Sequence, residues 1–188
     1  MILVISCSHH PESRSRILAQ AAQDTLLAQG CNVNFLDLRT LHLPLCDGHS
    51  TYEHPAVDQA NAMVRSASGI LLATPIYNYG ANAITKSFIE HTGKAWQGKP
   101  VGMLCAAGGK GSYMALIPLA GSLMLDFHCH VLPRHVYATN DQFQEETIID
   151  PELEQRIQQL ASDICWLSEA VEKRHQSESG MVKITVIS

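Results

Sequence analysis

The sequence predicts an α/β fold in which a parallel sheet lies between two layers of helices, and three features carry that expectation. Short apolar, β-branched runs alternate five times with longer amphipathic stretches, the pattern of parallel strands joined by right-handed helical crossovers. One run, "GILLATPIY" (69–77), is apolar throughout, as a strand covered on both faces must be. The irregular, polar-rich stretches follow strands, after Ile5, Thr74 and Ala106, so they meet at the carboxyl edge of the sheet, where open α/β sheets bind ligands. A chain of 188 residues suffices for one substantial core and is short for two, so one domain over 1–175 is expected, followed by a tail, 176–188.

The elements follow in order. "MILVIS" is the first strand, and a helix over Ser15 to Gln29 places Ile17, Leu18, Ala21, Ala22, Thr25 and Leu26 on one face before Gly30 closes it. "CNVNFLDL" (31–38) alternates like a strand, and a loop containing Pro, His and Gly leads to a helix over Ala56 to Ser66. Pro75, which has no ladder donor, is expected to end the third strand, and Tyr77-Asn78-Tyr79-Gly80 to turn the chain into a helix over Ala83 to Trp96. A strand at "PVGMLCAAGG" (100–109), a helix over Tyr113 to Leu125, a strand at "HCHVLPRHVYA" (128–138) and a long amphipathic helix over Pro151 to His175 complete the pattern. The ending "SGMVKITVIS" (179–188) reads as a short strand, an edge addition, a partner contact or a flexible end, with nothing to choose among them.

Composition narrows the function. With 46% hydrophobic and 16% charged residues, a formal charge of −5 and a pI near 6.0, the chain has the make-up of an ordinary globular protein without the basic face of a nucleic-acid binder. No apolar run approaches the ~18 residues of a membrane span, and "MILVI" is too short and too poor in basic flanks for a signal-peptide core. A cytoplasmic location and no membrane partner are therefore expected. The six cysteines are scattered with no C-x-x-C pair, which in a reducing compartment reads as free, mostly buried thiols.

The stretch "SCSHHPESRS" (6–15) is long for a strand-to-helix connection, which usually takes about two to six residues. The hydroxyls of Ser8, Ser13 and Ser15 stand where a helix start offers unpaired N–H groups and the positive end of its dipole, a combination suited to a phosphate. Ser13 serves equally well as a plain helix cap. The spacing is neither the G-x-G-x-x-G of dinucleotide folds nor the Gly-Lys-Ser/Thr of a triphosphate loop. In the second loop, "ATPIYNYG" (73–80), two tyrosines and an asparagine offer an aromatic wall with amide hydrogen bonds, suited to a flat heteroaromatic ring or simply to a turn packed on a helix.

Taken together, "S8-x-H-x-x-S13-x-S15", "T-P-I-Y-N-Y-G" with Lys86 and Glu90 downstream, and "A-A-G-G-K-G" resemble the NADPH-dependent FMN reductase family over about the first 140 residues. The resemblance implies a flavodoxin-like fold with a five-stranded parallel sheet in the order 2-1-3-4-5. It implies FMN as cofactor, NADPH or NADH as electron donor, small-molecule substrates, and assembly as a homodimer or homotetramer; the helix over Ala83 to Trp96 is our own expectation for the contact. It places the FMN phosphate on Ser8, Ser13 and Ser15, with His10 standing where the family usually has arginine. Pro75, Ile76, Tyr77 and Asn78 border the flavin ring, Ile76 replacing the family's glutamate, and Gly108, Gly109 and Lys110 meet the pyrimidine end.

Closely spaced glycines let backbone N–H groups reach a ligand, and donors at that end stabilise the charge a flavin gains on reduction. Hydride transfer through a flavin needs no nucleophile or acid-base pair, so no catalytic side chain is assigned. Tyr79 and Tyr113 are candidates for the mouth. "HCH" places His128 and His130 on one face of a strand, which is two ligands where zinc takes three or four, and no metal is expected. Three classes follow: a reductase passing electrons from NAD(P)H to a flavin, quinone, azo compound or similar acceptor; a flavodoxin-type electron carrier; and an interaction protein without activity. Flavin bleaching by NADPH separates the first two, and bound flavin separates both from the third.

Overall fold

The computed structural model describes the backbone of residues 1–185 and the side chains of residues 1–177. In chain order the elements are β1 (Ile2–Ser6), α1 (Arg14–Ala28), β2 (Val33–Asp37), α2 (Pro55–Ser66), β3 (Gly69–Tyr77), β4 (Gly80–Ala81), α3 (Ala83–Thr92), β5 (Pro100–Ala107), α4 (Ile117–Phe127), β6 (His130–Val131), β7 (Val136–Thr139), β8 (Phe143–Gln144), β9 (Thr147–Ile148) and α5 (Pro151–Thr185). The main sheet runs β2-β1-β3-β5 with every pair parallel, Ile2 facing Val33 on one side and Gly69 on the other. Beyond β5, β6 pairs with its beginning at Pro100 and Val101, and β7 with its end from Leu104 to Ala107. The expected order 2-1-3-4-5 therefore holds, but the fifth strand is two strands. Pro133, with no N–H to give, sits in the break between them.

Strand alternation divides the core in two. Leu3, Ile5, Ile70, Leu72, Val101 and Met103 pack with residues of α2, α3 and α4, whereas Ile2, Val4, Leu71, Ala73 and Leu104 pack with α1 and α5. Both faces of β1, β3 and β5 are thus covered, which is why these strands are apolar at nearly every position. Each fully buried Leu, Ile or Val contributes about 1.5 to 3 kcal/mol. α1 turns Leu18, Ala19, Ala22 and Leu26 to the sheet, while Ile17 and Ala21 stay partly buried at its edge. At Gly69 a Cβ would run into the Ser168 hydroxyl of α5, so the close seat of that helix on β3 requires glycine there.

Several elements differ from the sequence pattern. Pro75 does not end β3: it pairs with Ala106, and the strand continues to Tyr77. The Ala73 carbonyl accepts from Cys7 N at 2.8 Å and the Pro75 carbonyl from Asn82 N at 3.2 Å, so both residues turn to the β1 side, where β1 has already ended at Ser6. The missing donor of Pro75 therefore breaks no ladder. α3 stops at Thr92 and gives way to a 3-10 turn, Gly93–Trp96, with Gly93 at φ +29° and the Trp96 indole donating to Thr92 Oγ1 at 2.7 Å. α4 starts at Ile117, with Pro118 in its first turn, where a missing N–H costs nothing. His128 ends α4 in a left-handed conformation, φ +54°, so it does not share a strand face with His130. The helical backbone of α5 runs to Thr185 through the ending that the sequence leaves open among a short strand, an edge addition, a partner contact and a flexible end, and residues 186–188 lie outside the described residues. Cys31 and Cys165 are joined in a disulfide across the α1–α5 packing, in place of two free thiols; a separation of 134 residues left no local trace of that meeting.

Candidate functional site

The first loop leaves β1 at Cys7 and enters α1 at Ser13, whose hydroxyl caps the helix by accepting from Arg16 N at 3.3 Å. Ser8, Ser13 and Ser15 are all buried, although their surroundings are a loop and a helix start. Ser13 Oγ and Ser15 Oγ lie 2.9 Å apart, and Ser8 Oγ accepts from His10 N at 3.2 Å. One proton suffices for the Ser13–Ser15 bond, so that pair retains a second to donate, as does Ser8. The amides of Arg14 and Ser15 head the helix, where N–H groups have no intrahelical partner, and the first turn contains no acid to compete for them. His10 Nδ1 accepts from Glu12 N at 3.1 Å, leaving Nε2–H as the ring's outward donor.

Charges and a buried network hold this loop from behind. Asp37, at the end of β2, receives Arg16 Nε at 3.0 Å and Arg39 Nη2 at 2.6 Å, and Arg39 reaches on to the Pro11 carbonyl at 3.4 Å. Burial raises the Asp37 carboxyl, but hydrogen bonds from Arg39 and Arg16 outweigh it and hold the group below the usual carboxylate range. Asn82, the buried cap of α3, donates Nδ2 to the Cys7 carbonyl at 2.8 Å and accepts from Thr85 N at 3.0 Å and Thr85 Oγ1 at 2.6 Å. Thr85 Oγ1 lies 2.7 Å from Thr74 Oγ1. One asparagine therefore ties the start of the first loop to α3, and Thr85 extends the tie to the end of β3. Burial pushes the Cys7 and Cys105 thiols up to about 12, which leaves both protonated and inert beneath the site.

The second wall is the β3–β4 hairpin. Tyr77 pairs with Gly80 across Asn78 and Tyr79, both at positive φ, +49° and +62°, as a two-residue type I′ turn demands. Tyr77 and Tyr79 are more than half exposed at its tip. The third wall follows β5. Gly108 and Gly109 are exposed, with open space where a Cβ would stand. Tyr137 of β7 donates its hydroxyl to the Gly109 carbonyl. Because that peptide is planar and trans, the Lys110 N–H points the opposite way from the carbonyl. Tyr113 packs beside Tyr137, ring centroids 5.5 Å apart, and beside His135 at 4.9 Å, and its carbonyl lies 3.2 Å from His135 Nε2.

These walls enclose an open cleft of about 190 Å³. Eight of the expected residues line it: Ser8, His10, Ser13, Ser15, Pro75, Ile76, Tyr77 and Gly108. Asn78, Gly109 and Lys110 do not, since Asn78 sits at the hairpin tip and the other two in the turn beyond the floor. The lining also takes in Glu12, Arg14, Ala106, Ala107 and Asn140, none of which the sequence singled out. The supporting Asn82 was legible, because asparagine directly before an apolar helix is a cap signal. Asn140 and Tyr137 carried no such signal. Among the described residues, no group of three or more His, Cys, Asp or Glu side chains is placed to hold a metal ion.

Known proteins resemble this chain in sequence and in fold. The chain is 26% identical over 137 residues to an NAD(P)H-dependent FAD/FMN reductase of Geobacillus thermodenitrificans, covering 71% of this chain and 74% of that one. It is 28% identical over 138 residues to an NADPH azoreductase of Bacillus sp. strain OY1-2, covering 72% and 74%. Its fold is similar to that of an NADH:FMN oxidoreductase, EmoB, in the apo form (TM-score 0.74, 19% identity, 87% of each chain). It is also similar to FerB, a flavoenzyme NAD(P)H:(acceptor) oxidoreductase from Paracoccus denitrificans (TM-score 0.73, 17% identity, 92% of this chain and 97% of that one). Residues 1–144, well over half of the sequence, match the family described as NADPH-dependent FMN reductase, and the chain belongs to that family.

Proposed function

We propose that this protein oxidises NADPH or NADH through FMN seated in the cleft and passes the electrons to a small acceptor such as a free flavin, a quinone or an azo compound. The observation that carries the reading is the buried Ser8, Ser13 and Ser15 cluster opening at a helix start into a cleft with an exposed tyrosine rim. Neutral hydroxyls and unpaired amides that converge there form a donor set suited to a phosphate monoester. FMN, when bound, supplies a ring that takes a hydride from the nicotinamide and hands electrons onward.

The chain's own residues hold and orient. Ser8, His10 Nε2–H, Ser13 and Ser15 bind the phosphate end. Pro75, Ile76 and Tyr77 border the ring, with Asn78 in the hairpin turn outside the lining, and the Gly108 amide donates toward the pyrimidine edge, where negative charge gathers on reduction, with Gly109 and Lys110 in the turn just beyond it. Ile76 is an apolar neighbour, so the ring has no carboxylate beside it on this wall. Tyr79 stays in the left-handed region at about 1 kcal/mol of strain, which places a second ring at the mouth. No lining residue is needed as nucleophile or proton donor.

The protein acts as a homo-oligomer in the cytoplasm. No helix among the described residues is long and apolar enough to cross a membrane. The exposed Met114, Ile117, Met124 and Leu125, the last 83% accessible, make the α4 face the surface that a second copy covers, in preference to α3, whose exposed Lys86 and Glu90 pair with each other at 3.3 Å. The test is an absorbance spectrum after FMN is added and unbound flavin removed, followed by anaerobic NADPH. Retained bands at about 370 and 450 nm that NADPH bleaches are expected. Retained flavin that neither NADPH nor NADH bleaches would make the protein a carrier, and no retained flavin would remove the cofactor from the cleft.

A further inference from the structure

We propose that Arg14 is the cation that neutralises the FMN phosphate and makes this cleft prefer FMN to the unphosphorylated flavin. The inference rests on FMN occupying the cleft, and it concerns a residue outside the serine set. A phosphate monoester brings about −1.5 to −2 charges near neutrality. The serines and helix amides that face it are neutral donors, and Glu12 adds a carboxylate to the lining. His10, with Nδ1 accepting the Glu12 amide at 3.1 Å, is in that bonding a neutral donor at Nε2. Among the described residues, Arg14 is the one Lys or Arg that lines the cleft.

Its guanidinium is held in place from two sides by residues far away in the chain. Arg14 Nη1 donates to Asn140 Oδ1 at 2.6 Å, across 126 residues, and the guanidinium carbon lies 5.9 Å from the centre of the Phe143 ring, within cation–π range. Asn140 also lines the cleft and opens the 3-10 turn Asn140–Gln142, which Thr139 and Gln142 close as a capping box. Gln142 in turn bonds to Asp150, next to the start of α5. Of the five guanidinium N–H groups, Asn140 takes one, and the others remain to give. Holding a long side chain in one place beforehand reduces what binding must spend on ordering it. The start of α1 and the segment that follows β7 thus contribute jointly: Arg14 brings the charge, and Asn140 in the 3-10 turn and Phe143 in β8 act as positioning residues.

The test uses the full chain and flavin fluorescence titrations with FMN and with riboflavin, each at low and high salt. Arg14→Gln should weaken FMN binding about 10- to 100-fold and leave riboflavin within about twofold, because one charge-assisted contact to phosphate is lost and none to the ring. The salt dependence of FMN binding should flatten in the same variant. Arg14→Lys should restore part of the loss, and Asn140→Ala should show a smaller loss of the same kind. Equal weakening of FMN and riboflavin in Arg14→Gln, or unchanged FMN binding, would overturn the assignment while leaving the cofactor reading intact. A wild-type protein that binds no FMN would overturn both.

Discussion

The first and third loops face the same cleft, yet they are built by opposite means. In the first, most of the geometry is local: Ser13 caps its own helix, Ser15 bonds to Ser13, and Ser8 is bonded by the His10 amide two residues on. These groups are buried. The third loop is exposed from Gly108 to Gly111 and makes few bonds of its own; it is placed by Tyr137 on its carbonyl and by the packing of Tyr113 against His135 and Tyr137. The contrast teaches that the serine end of the cleft, proposed for the phosphate, is preorganised, whereas the end proposed for the ring leans on a neighbouring strand.

The largest effect should come from breaking the preorganised end. Ser13→Ala with Ser15→Ala should weaken FMN by about 2 to 4 kcal/mol while sparing riboflavin, and an unchanged FMN titration would remove the phosphate from that loop. Next is the buried tie behind it. Asn82→Ala leaves the Cys7 carbonyl and the Thr85 amide without their partner and should cost about 2 to 3 kcal/mol of stability in a denaturant melt; a loss within error would show that the loop stands without the network. Tyr137→Phe keeps the ring and removes one donor. Affinity for FMN and riboflavin should fall together, by about 0.5 to 1.5 kcal/mol, because the affected contacts are to the ring they share. A selective loss of FMN would erase the distinction between the two ends.

The smallest effect concerns Asp37. Hydrogen bonds from Arg39 and Arg16 more than offset burial and keep its folded carboxyl below the unfolded value of about 3.9. Its contribution is therefore complete above that value and disappears as pH falls through the folded one. At neutral pH Asp37→Asn should melt about 0.5 to 1 kcal/mol below wild type, and the two should converge in acid. Curves that stay parallel down to pH 2 would exclude the carboxylate as the cause.

Much of this was legible in the chain. Continuous apolar runs identified β1, β3 and β5, since covering by helices on both faces demands them, and the overlong serine loop pointed to one wall of the cleft. The reading faltered where a residue's effect depends on what lies beside it. Pro75 has the local chemistry of a strand breaker, yet β1 has already ended where its donor is missing, so β3 runs on. Pro133 has the same chemistry on the outer strand and does sit at a break. The two Cys31 and Cys165 sulfurs meet only because α1 and α5 share a face of the sheet.

What the sequence determined by itself is therefore periodic or local: strand and helix alternation, the doubly covered sheet, the capped start of α1 with its hydroxyls, and the glycines after β5. These depend on interactions over a few residues, which the order of side chains alone dictates. Only the tertiary structure decided which distant groups complete the cleft: Asn82 against Cys7, Tyr137 on Gly109, and Asn140 with Phe143 around Arg14. Those contacts arise from the order of strands in the sheet, which brings β3 beside β1 and β7 beside β5, and no local pattern records that neighbourhood.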